Sequence, residues 1–269
     1  MQVKNVDIKN ANIKEVAEKY SVDEDLLFDV QDQSESARYL EKEGYTEIIL
    51  KYPAKNDIST IGVYLTKEKA IFFHTEVFPF AFRPAYKNTR TAVVDVVYKI
   101  SEGYFKMLKN IDKKIRKIKR DSKANVKNSD MLSLFELQND LDDCILGIKG
   151  NLSVLSKIMV FMPNNEFVFD AKIENDQALE TALSYSKTVS NLKTTLEIIT
   201  NNLTNKRMES LTIVNVSALI ITSISGLYGM NVKLPFSEKE DIFFYIILVS
   251  IVLAVNFGIF LKKKFSEKR

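Results

Sequence analysis

Reactive side chains are scarce in this sequence. Its 269 residues include one cysteine, Cys144, and one histidine, His74, so an internal disulfide is excluded and the Cys/His sets of structural zinc are missing. What stands out is a set of polar side chains in an apolar setting. Met208, Leu211, Asn215, Leu219, Thr222 and Gly226 recur at steps of three or four, which a helix gathers on one face. Inside a bilayer such amide and hydroxyl groups must face protein or water. If copies of the helix surround an axis, rings of Asn215 and Thr222 are separated by apolar rings of Met208, Leu211 and Leu219, and apolar constrictions can gate a pore by dewetting. The competing reading has Asn215 and Thr222, with Ser217, Ser223 and Ser225 nearby, hydrogen-bonding between helices. The face ends in "SGLYGMN", Ser225–Asn231, where Gly226 and Gly229 suit either close helix contact or a turn.

The setting is membrane-like. Charge is absent over the 23 residues Ser210–Val232 and the 20 residues Ile242–Leu261, and about 20 apolar residues in helix cross a hydrocarbon core. These runs predict a transmembrane hairpin: a first span over 211–232, a loop over 233–241, a second span over 242–261 and a basic tail over 262–269. Lys206 and Arg207 precede the first span, and Lys262, Lys263, Lys264, Lys268 and Arg269 follow the second. By the positive-inside rule both termini are cytoplasmic. The loop "KLPFSEKED", with Glu238, Glu240 and Asp241, then faces outward. The start, "MQVKNVDIKN", lacks the apolar region of a secretory signal, so residues 1–209 are expected to stay where they are made. A net charge of +3 is too small to argue for a nucleic-acid partner.

Upstream, "YTEIILKYP", "TIGVYLT" and "KAIFFH" read as strands, with turns at Asn56–Asp57 and Lys67–Lys69. The preceding "NIKEVAEKYSVDEDLLFDV" reads as short helices. Together they predict an α/β domain over 1–88, with Pro79 and Pro84 marking its exit. A helical hairpin over 89–162 follows, from the periodicity of Val97, Ile100, Tyr104, Met107 and Ile111 and of Leu134, Leu137, Leu141, Ile145 and Ile148. Cys144 lies on this apolar face as a small core residue. Between the two helices, six of the eight residues Lys113–Arg120 are basic, which suits a solvated helix end or contact with anionic headgroups or an acidic partner. From Asn164 to Ser225 there are 62 residues without Gly or Pro. Ala178, Ala182, Tyr185, Val189, Leu192, Leu196, Ile199 and Leu203 alternate steps of four and three there, a heptad seam. The reading is a stalk helix over 163–210 that continues into the first span. Its seam is filled either by further copies, making a homo-oligomer, or by the chain's own hairpin. The fold class is thus an α+β cytoplasmic domain, a long stalk helix and a two-helix transmembrane hairpin.

Tyr228-Gly229-Met230-Asn231, at the outer end of the first of two C-terminal spans, closely resembles the Gly-Met-Asn signature of the CorA family of magnesium transporters. "LFELQNDLDDCILGIKGNLSVLSKI" resembles the family's middle helix, "NKRMESLT" its junction of stalk and membrane, and the lysine-rich tail its C-terminus. The resemblance implies a funnel-shaped homopentamer in which stalk and first span line the ion path within membrane lipid. It places Gly229, Met230 and Asn231 at the extracellular mouth, with Asn231 offering side-chain carbonyls to a hydrated ion. Thr222 matches a pore-lining threonine, and Asn205 and Met208 resemble a polar ring and an apolar constriction near the inner edge. Asp170 resembles a carboxylate of a regulatory site for cytoplasmic Mg²⁺, with Glu174 and Asp176 as neighbours; acidic residues at a helix start also simply favour its dipole.

An amide mouth suits this ion, because Mg²⁺ dehydrates reluctantly and its waters can donate to carbonyl oxygens. Neither span contains Asp or Glu. A membrane potential drives entry by about 2.3 kcal/mol per charge per 100 mV, so no phosphate-binding loop or organic cofactor is expected. The expected activity is passive Mg²⁺ uptake across a cell inner membrane, extending to Co²⁺ or Ni²⁺ and controlled by cytoplasmic Mg²⁺. Alternatives are transport of Zn²⁺ or another divalent ion by the same architecture, and an oligomeric membrane-anchored scaffold. No enzymatic set of nucleophile and base is evident over residues 1–160. The chain departs from the family where Ile220 stands at the place of a common mid-span proline, and in carrying Lys233 close to Asn231.

Overall fold

The computed structural model describes residues 2–54, 57–77, 82–83, 86–122, 127–230 and 242–267, without the side chains of Tyr228, Ile242, Phe243, Phe265, Ser266 and Glu267. Asn56, Pro79, Pro84, Asn231, the outer segment 233–241, Lys268 and Arg269 lie outside the described residues. Two compact units divide the chain, residues 1–194 and 195–269.

In the first unit, five strands, β1 (Gln2–Asp7), β2 (Arg38–Lys42), β3 (Tyr45–Pro53), β4 (Ile58–Leu65) and β5 (Lys69–His74), form one sheet in the order β1-β5-β4-β3-β2. β2, β3, β4 and β5 pair antiparallel, whereas β1 adds in parallel to β5, with Gln2 opposite Lys69 and Asp7 opposite His74. The three central strands carry the apolar signal. Every residue of β3 from Thr46 to Pro53 is buried, as expected of a strand covered on both faces. The edge strands carry no such signal: "QVKNVD" and "RYLEK" are mostly polar and mostly exposed.

Alternation assigns the two sheet faces. Ile49, Ile71 and Phe73 form a core with α1 (Ile13–Tyr20) and α2 (Glu24–Gln31), through Ala17, Leu26, Leu27 and Val30. α2 lies so close that a Cβ on Gly62 of β4 would stand 2.4 Å from Val30 Cγ2. On the other face Ile48 and Leu65 meet Val93 of α3 (Thr89–Asp121) and Ile158 of α4 (Asn128–Phe161). The first helices start on side-chain caps: Asn12 accepts from the Lys14 amide, Asp23 from Asp25 and Asn88 from Thr91, each satisfying an otherwise unpaired donor.

β2 pairs with β3 only as far as Ile49, so the strand edge at Lys51 needs another partner. Asn151 on α4 supplies it: its Oδ1 accepts from the Lys51 amide at 2.9 Å and its Nδ2 donates to the Lys51 carbonyl at 2.7 Å. Tyr104 on α3 donates to the same carbonyl at 3.2 Å. A side-chain amide thus continues the ladder where the neighbouring strand stops, which pins both long helices to the sheet. His74 is tied locally, its Nδ1 lying 2.8 Å from the Glu76 carbonyl oxygen.

α5 (Glu166–Tyr228) is one helix of 63 residues, and α6 (Ile242–Glu267) follows it. The Asn165 side chain accepts from the Phe167 amide at the start of α5. The heptad seam divides into two stretches. Ala178, Ala182 and Val189 are buried inside the chain, and Gln138 of α4 donates to Ser186 of α5 at 2.9 Å. Over this stretch the seam is occupied by the chain's own hairpin, the alternative that its spacing left open. Farther on, Leu196 is buried but Ile199 and Leu203 are exposed.

Candidate functional site: two apolar helices and the face they leave exposed

Three helices are long and apolar enough to cross a bilayer by length and composition: α4, α5 and α6. Burial separates them. The most apolar stretch of α4 is 44% buried inside the chain, against none of that of α5 and 17% of that of α6. A span must show apolar surface to its surroundings; α4 spends its own on the sheet and on α3, through Leu134, Leu137, Leu141, Ile145 and Ile148.

In the second unit, α5 and α6 pack through small residues. Ser250 and Ala254 of α6 are buried, and Gly258 continues their four-residue spacing. The Ser217 hydroxyl on α5 donates to the Ala254 carbonyl at 3.3 Å. A Cβ on Gly258 would meet Ser217 Oγ at 3.1 Å and Ile213 Cγ2 at 3.6 Å. Such stripes let helices approach closely, which in lipid is what drives their association. Ile213, Val216, Ser217, Ile220 and Ile224 are correspondingly half-buried. Ile220 belongs to this packed side, and α5 runs through it without interruption.

Among the described residues nothing covers the opposite side of α5. Asn205, Met208, Leu211, Asn215, Leu219 and Thr222 are all exposed, with Met208, Leu211 and Leu219 each at least 60% accessible. The helical phase read from the sequence is therefore the phase that α6 leaves uncovered. The Thr222 hydroxyl donates to the Ala218 carbonyl of its own helix at 3.0 Å, which shields part of its polarity. A Cβ on Gly226 would meet nothing within 4 Å, so no contact among the described residues requires that glycine. Gly229 follows the last helical residue, its amide donating to the Ser225 carbonyl at 3.0 Å, and Met230 is exposed.

The carboxylates sit elsewhere. Asp170 is exposed in the second turn of α5 and Glu174 is half-exposed, while Asp176 is paired with Lys172 at 3.3 Å. Among the described residues no group of three or more His, Cys, Asp or Glu side chains could hold a metal ion. Cys144 is buried, its thiol pushed up to about 12 by burial first and then by Asp140 and Asp143; it is a core residue. The Ser250-Ala254-Gly258 stripe was not read from the sequence, although small residues at intervals of four were there to be counted.

A family model, CorA-like Mg²⁺ transporter protein, matches residues 5–263. The chain belongs to this family. Its members are divalent-cation transporters and not enzymes. Among solved structures, the complete CorA magnesium transporter of Methanocaldococcus jannaschii is 18% identical with a TM-score of 0.71, over 91% of this chain and 85% of that one. The full-length CmaX protein is 12% identical with a TM-score of 0.66, over 94% of this chain and 84% of that one. The soluble domain of the M. jannaschii CorA is 15% identical with a TM-score of 0.59, over 68% of this chain and 83% of that one. At these identities the likeness speaks for the CorA fold. No curated protein sequence matches the chain.

Proposed function

We propose that five copies of this chain surround a pore lined by the free face of α5, and that the pore conducts Mg²⁺ passively into the cell. The observation that carries this reading is the division of α5 into two sides. One side is occupied by the small residues of α6; the other presents Asn215 and Thr222 beside Met208, Leu211 and Leu219, all exposed among the described residues. In hydrocarbon an uncovered amide costs several kcal/mol, which a water-filled axis removes. α6 then lies outside, where its exposed Phe244, Leu248, Val252 and Phe260 suit lipid.

On this reading Gly229, Met230 and Asn231 form the outer entrance, where amide oxygens accept hydrogen bonds from the waters of a hydrated ion. Asn205 and Met208 form a polar ring and a constriction towards the cytoplasm. The protein is a multi-pass component of the inner membrane with both termini cytoplasmic, its spans bounded as the charge-free runs suggest. Asp170, exposed and close to Glu174, is the regulatory carboxylate, binding Mg²⁺ only when a second copy completes its ligands. Co²⁺ and Ni²⁺ share the path, and Zn²⁺ is disfavoured because neither span offers a His or Cys.

The test is Mg²⁺ entry into liposomes holding the purified protein under an inside-negative potential, with Asn231→Ala alongside. Entry that follows the potential and is lost in the variant supports a channel with its selective mouth at Asn231. No flux in either, from a correctly assembled oligomer, makes the membrane-anchored scaffold the better reading.

A further inference from the structure

The basic run read at the end of α3 extends into a longer stripe. Ile111, Ile115 and Ile118 face inward; on the opposite side Lys106, Lys109, Lys113, Lys117 and Arg120 are exposed at steps of three and four. None of these five has an ion-pair partner among the described residues, whereas the neighbouring Arg116 binds Asp112 and Lys114 reaches Asp140.

α4 carries the complement. Its inward side holds Leu134, Leu137 and Leu141, and its outward side exposes Leu132, Phe135, Glu136, Asn139, Asp143 and Leu146. Leu132, Phe135 and Leu146 are each more than half accessible. The stripe is therefore an apolar strip with two carboxylates seven residues apart. Burial raises the pKa of Asp143 first, Asp57, Asp140 and Asp142 raise it further, and Lys51 opposes them.

The two stripes stand at matching heights. Contacts between Met107 and Cys144, Lys114 and Asp140, and Ser122 and Asp130 fix the antiparallel register of α3 and α4. In that register Lys109 is level with Asp143, Lys113 with Asn139, and Lys117 with Glu136. In a cyclic assembly whose axis ran along these two helices, height would be preserved, and each group of one copy would meet groups at its own level in the next. Within one chain the two stripes point away from their shared core and cannot meet.

We propose that the exposed α3 stripe of one copy docks on the exposed α4 stripe of the next, pairing Lys109 with Asp143 and Lys117 with Glu136 while the lysine stems cover Phe135 and Leu146. This contact is heterologous and closes only as a ring. Apolar stems under charged heads are how lysine covers such surface. The contact rests on the cyclic assembly argued above and adds to it a cytoplasmic interface outside the pore-lining helix.

Disulfide crosslinking of the full-length protein in membranes, in a Cys144→Ala background, tests it. Lys113→Cys and Asn139→Cys chains are expressed separately and together, with Met208→Cys as a control for assembly around the pore. The expected result is an intermolecular crosslink in the co-expressed sample and none in either single variant. Lys109→Glu with Lys117→Glu on the Lys113→Cys chain should abolish it, and Glu136→Lys with Asp143→Lys on the Asn139→Cys chain should restore it. A Met208→Cys crosslink without a mixed one overturns the docking contact and leaves the pore reading standing. Loss of both removes the assembly itself, and the docking contact with it.

Discussion

Replacing Gly147 by alanine tests how α4 is seated on the sheet. A Cβ there would stand 2.2 Å from Tyr104 Oη and 3.2 Å from Lys51 Cβ. Tyr104 is fully buried and its hydroxyl donates to the Lys51 carbonyl, so the ring has no open space into which to retreat. In an exposed helix Gly→Ala stabilises by about 1 kcal/mol. Here the phenol must give up its bond, at about 1–3 kcal/mol for a buried donor left unpaired, and crowding adds about 1–3 kcal/mol. The carbonyl keeps Asn151 as a donor, so only one partner is orphaned. The net is a destabilisation of about 1–5 kcal/mol, centred near 3, and roughly 6–12 °C in melting temperature for a unit of this size. Thermal unfolding of the full-length protein in detergent measures it, and a double-mutant cycle isolates the cause. Tyr104→Phe removes the oxygen that collides, so the double variant should recover at least about 1 kcal/mol relative to additivity. A Gly147→Ala variant that melts higher than the parent, or one that Tyr104→Phe does not rescue, refutes the contact.

Asn151→Ala should cost roughly 2–4 kcal/mol by leaving the Lys51 amide unpaired beside a cavity, read as a lower denaturation midpoint and faster amide exchange at Lys51. Ala254→Leu should separate the spans, since Ala254 is buried against Ser217 and overpacking costs about 1–3 kcal/mol; detergent stability of the oligomer should fall. On the proposed pore, Leu219→Asn would replace an apolar ring by a wettable one, so resting Mg²⁺ leak into liposomes should rise roughly tenfold, the equivalent of about 1.4 kcal/mol of barrier. Cys144 predicts a pH dependence. Its buried thiol ionises near 12 against 9.0 for the ordinary group, so the folded state holds its proton longer. The contribution is intact below about pH 9 and is lost as pH rises towards 12, at about 1.4 kcal/mol per pH unit. Cys144→Ala should flatten that slope in urea unfolding compared between pH 9 and 10.5.

The sequence was most legible where periodicity and burial coincide. β3, β4 and β5, the two hairpin helices and the long α5 announce themselves because their apolar residues repeat with the period of the element. β1 and β2 were illegible because they lie at the sheet edges, where "QVKNVD" and "RYLEK" bury too little to show alternation. The heptad seam illustrates a different limit. Its spacing says that Ala178, Ala182 and Val189 are covered, not by what, and the coverer is α4 of the same chain, which Gln138 ties to Ser186. Asn151 was also invisible, since nothing in "GNLSVL" says that an amide on a helix will complete a strand edge 100 residues away. That Asn215 and Thr222 share an exposed face could be read from their spacing, since one polar residue every two turns of an apolar helix marks a face whatever covers it.

What covers that face follows from the solvent. An isolated hairpin in a bilayer would leave Asn215 and the Thr222 side against hydrocarbon, and α6 cannot shield them because the side of α5 bearing Ser217 already occupies its small-residue stripe. A second α6 docking there would need its own small stripe, and the remaining faces of α6 carry Phe244, Leu248, Val252, Phe257 and Phe260, bulky groups that hold a helix at a distance. Copies of α5 meeting one another meet the requirement instead, since Asn215 of each then faces either its counterparts or water along an axis. The number of copies decides between these: few would close the axis into a bundle of amide contacts, and more would open it to a hydrated ion. With five, the proposed ring would keep Met208, Leu211 and Leu219 as its apolar steps, and on that proposal the rings that keep the path dry at rest would be those that a gating motion must widen.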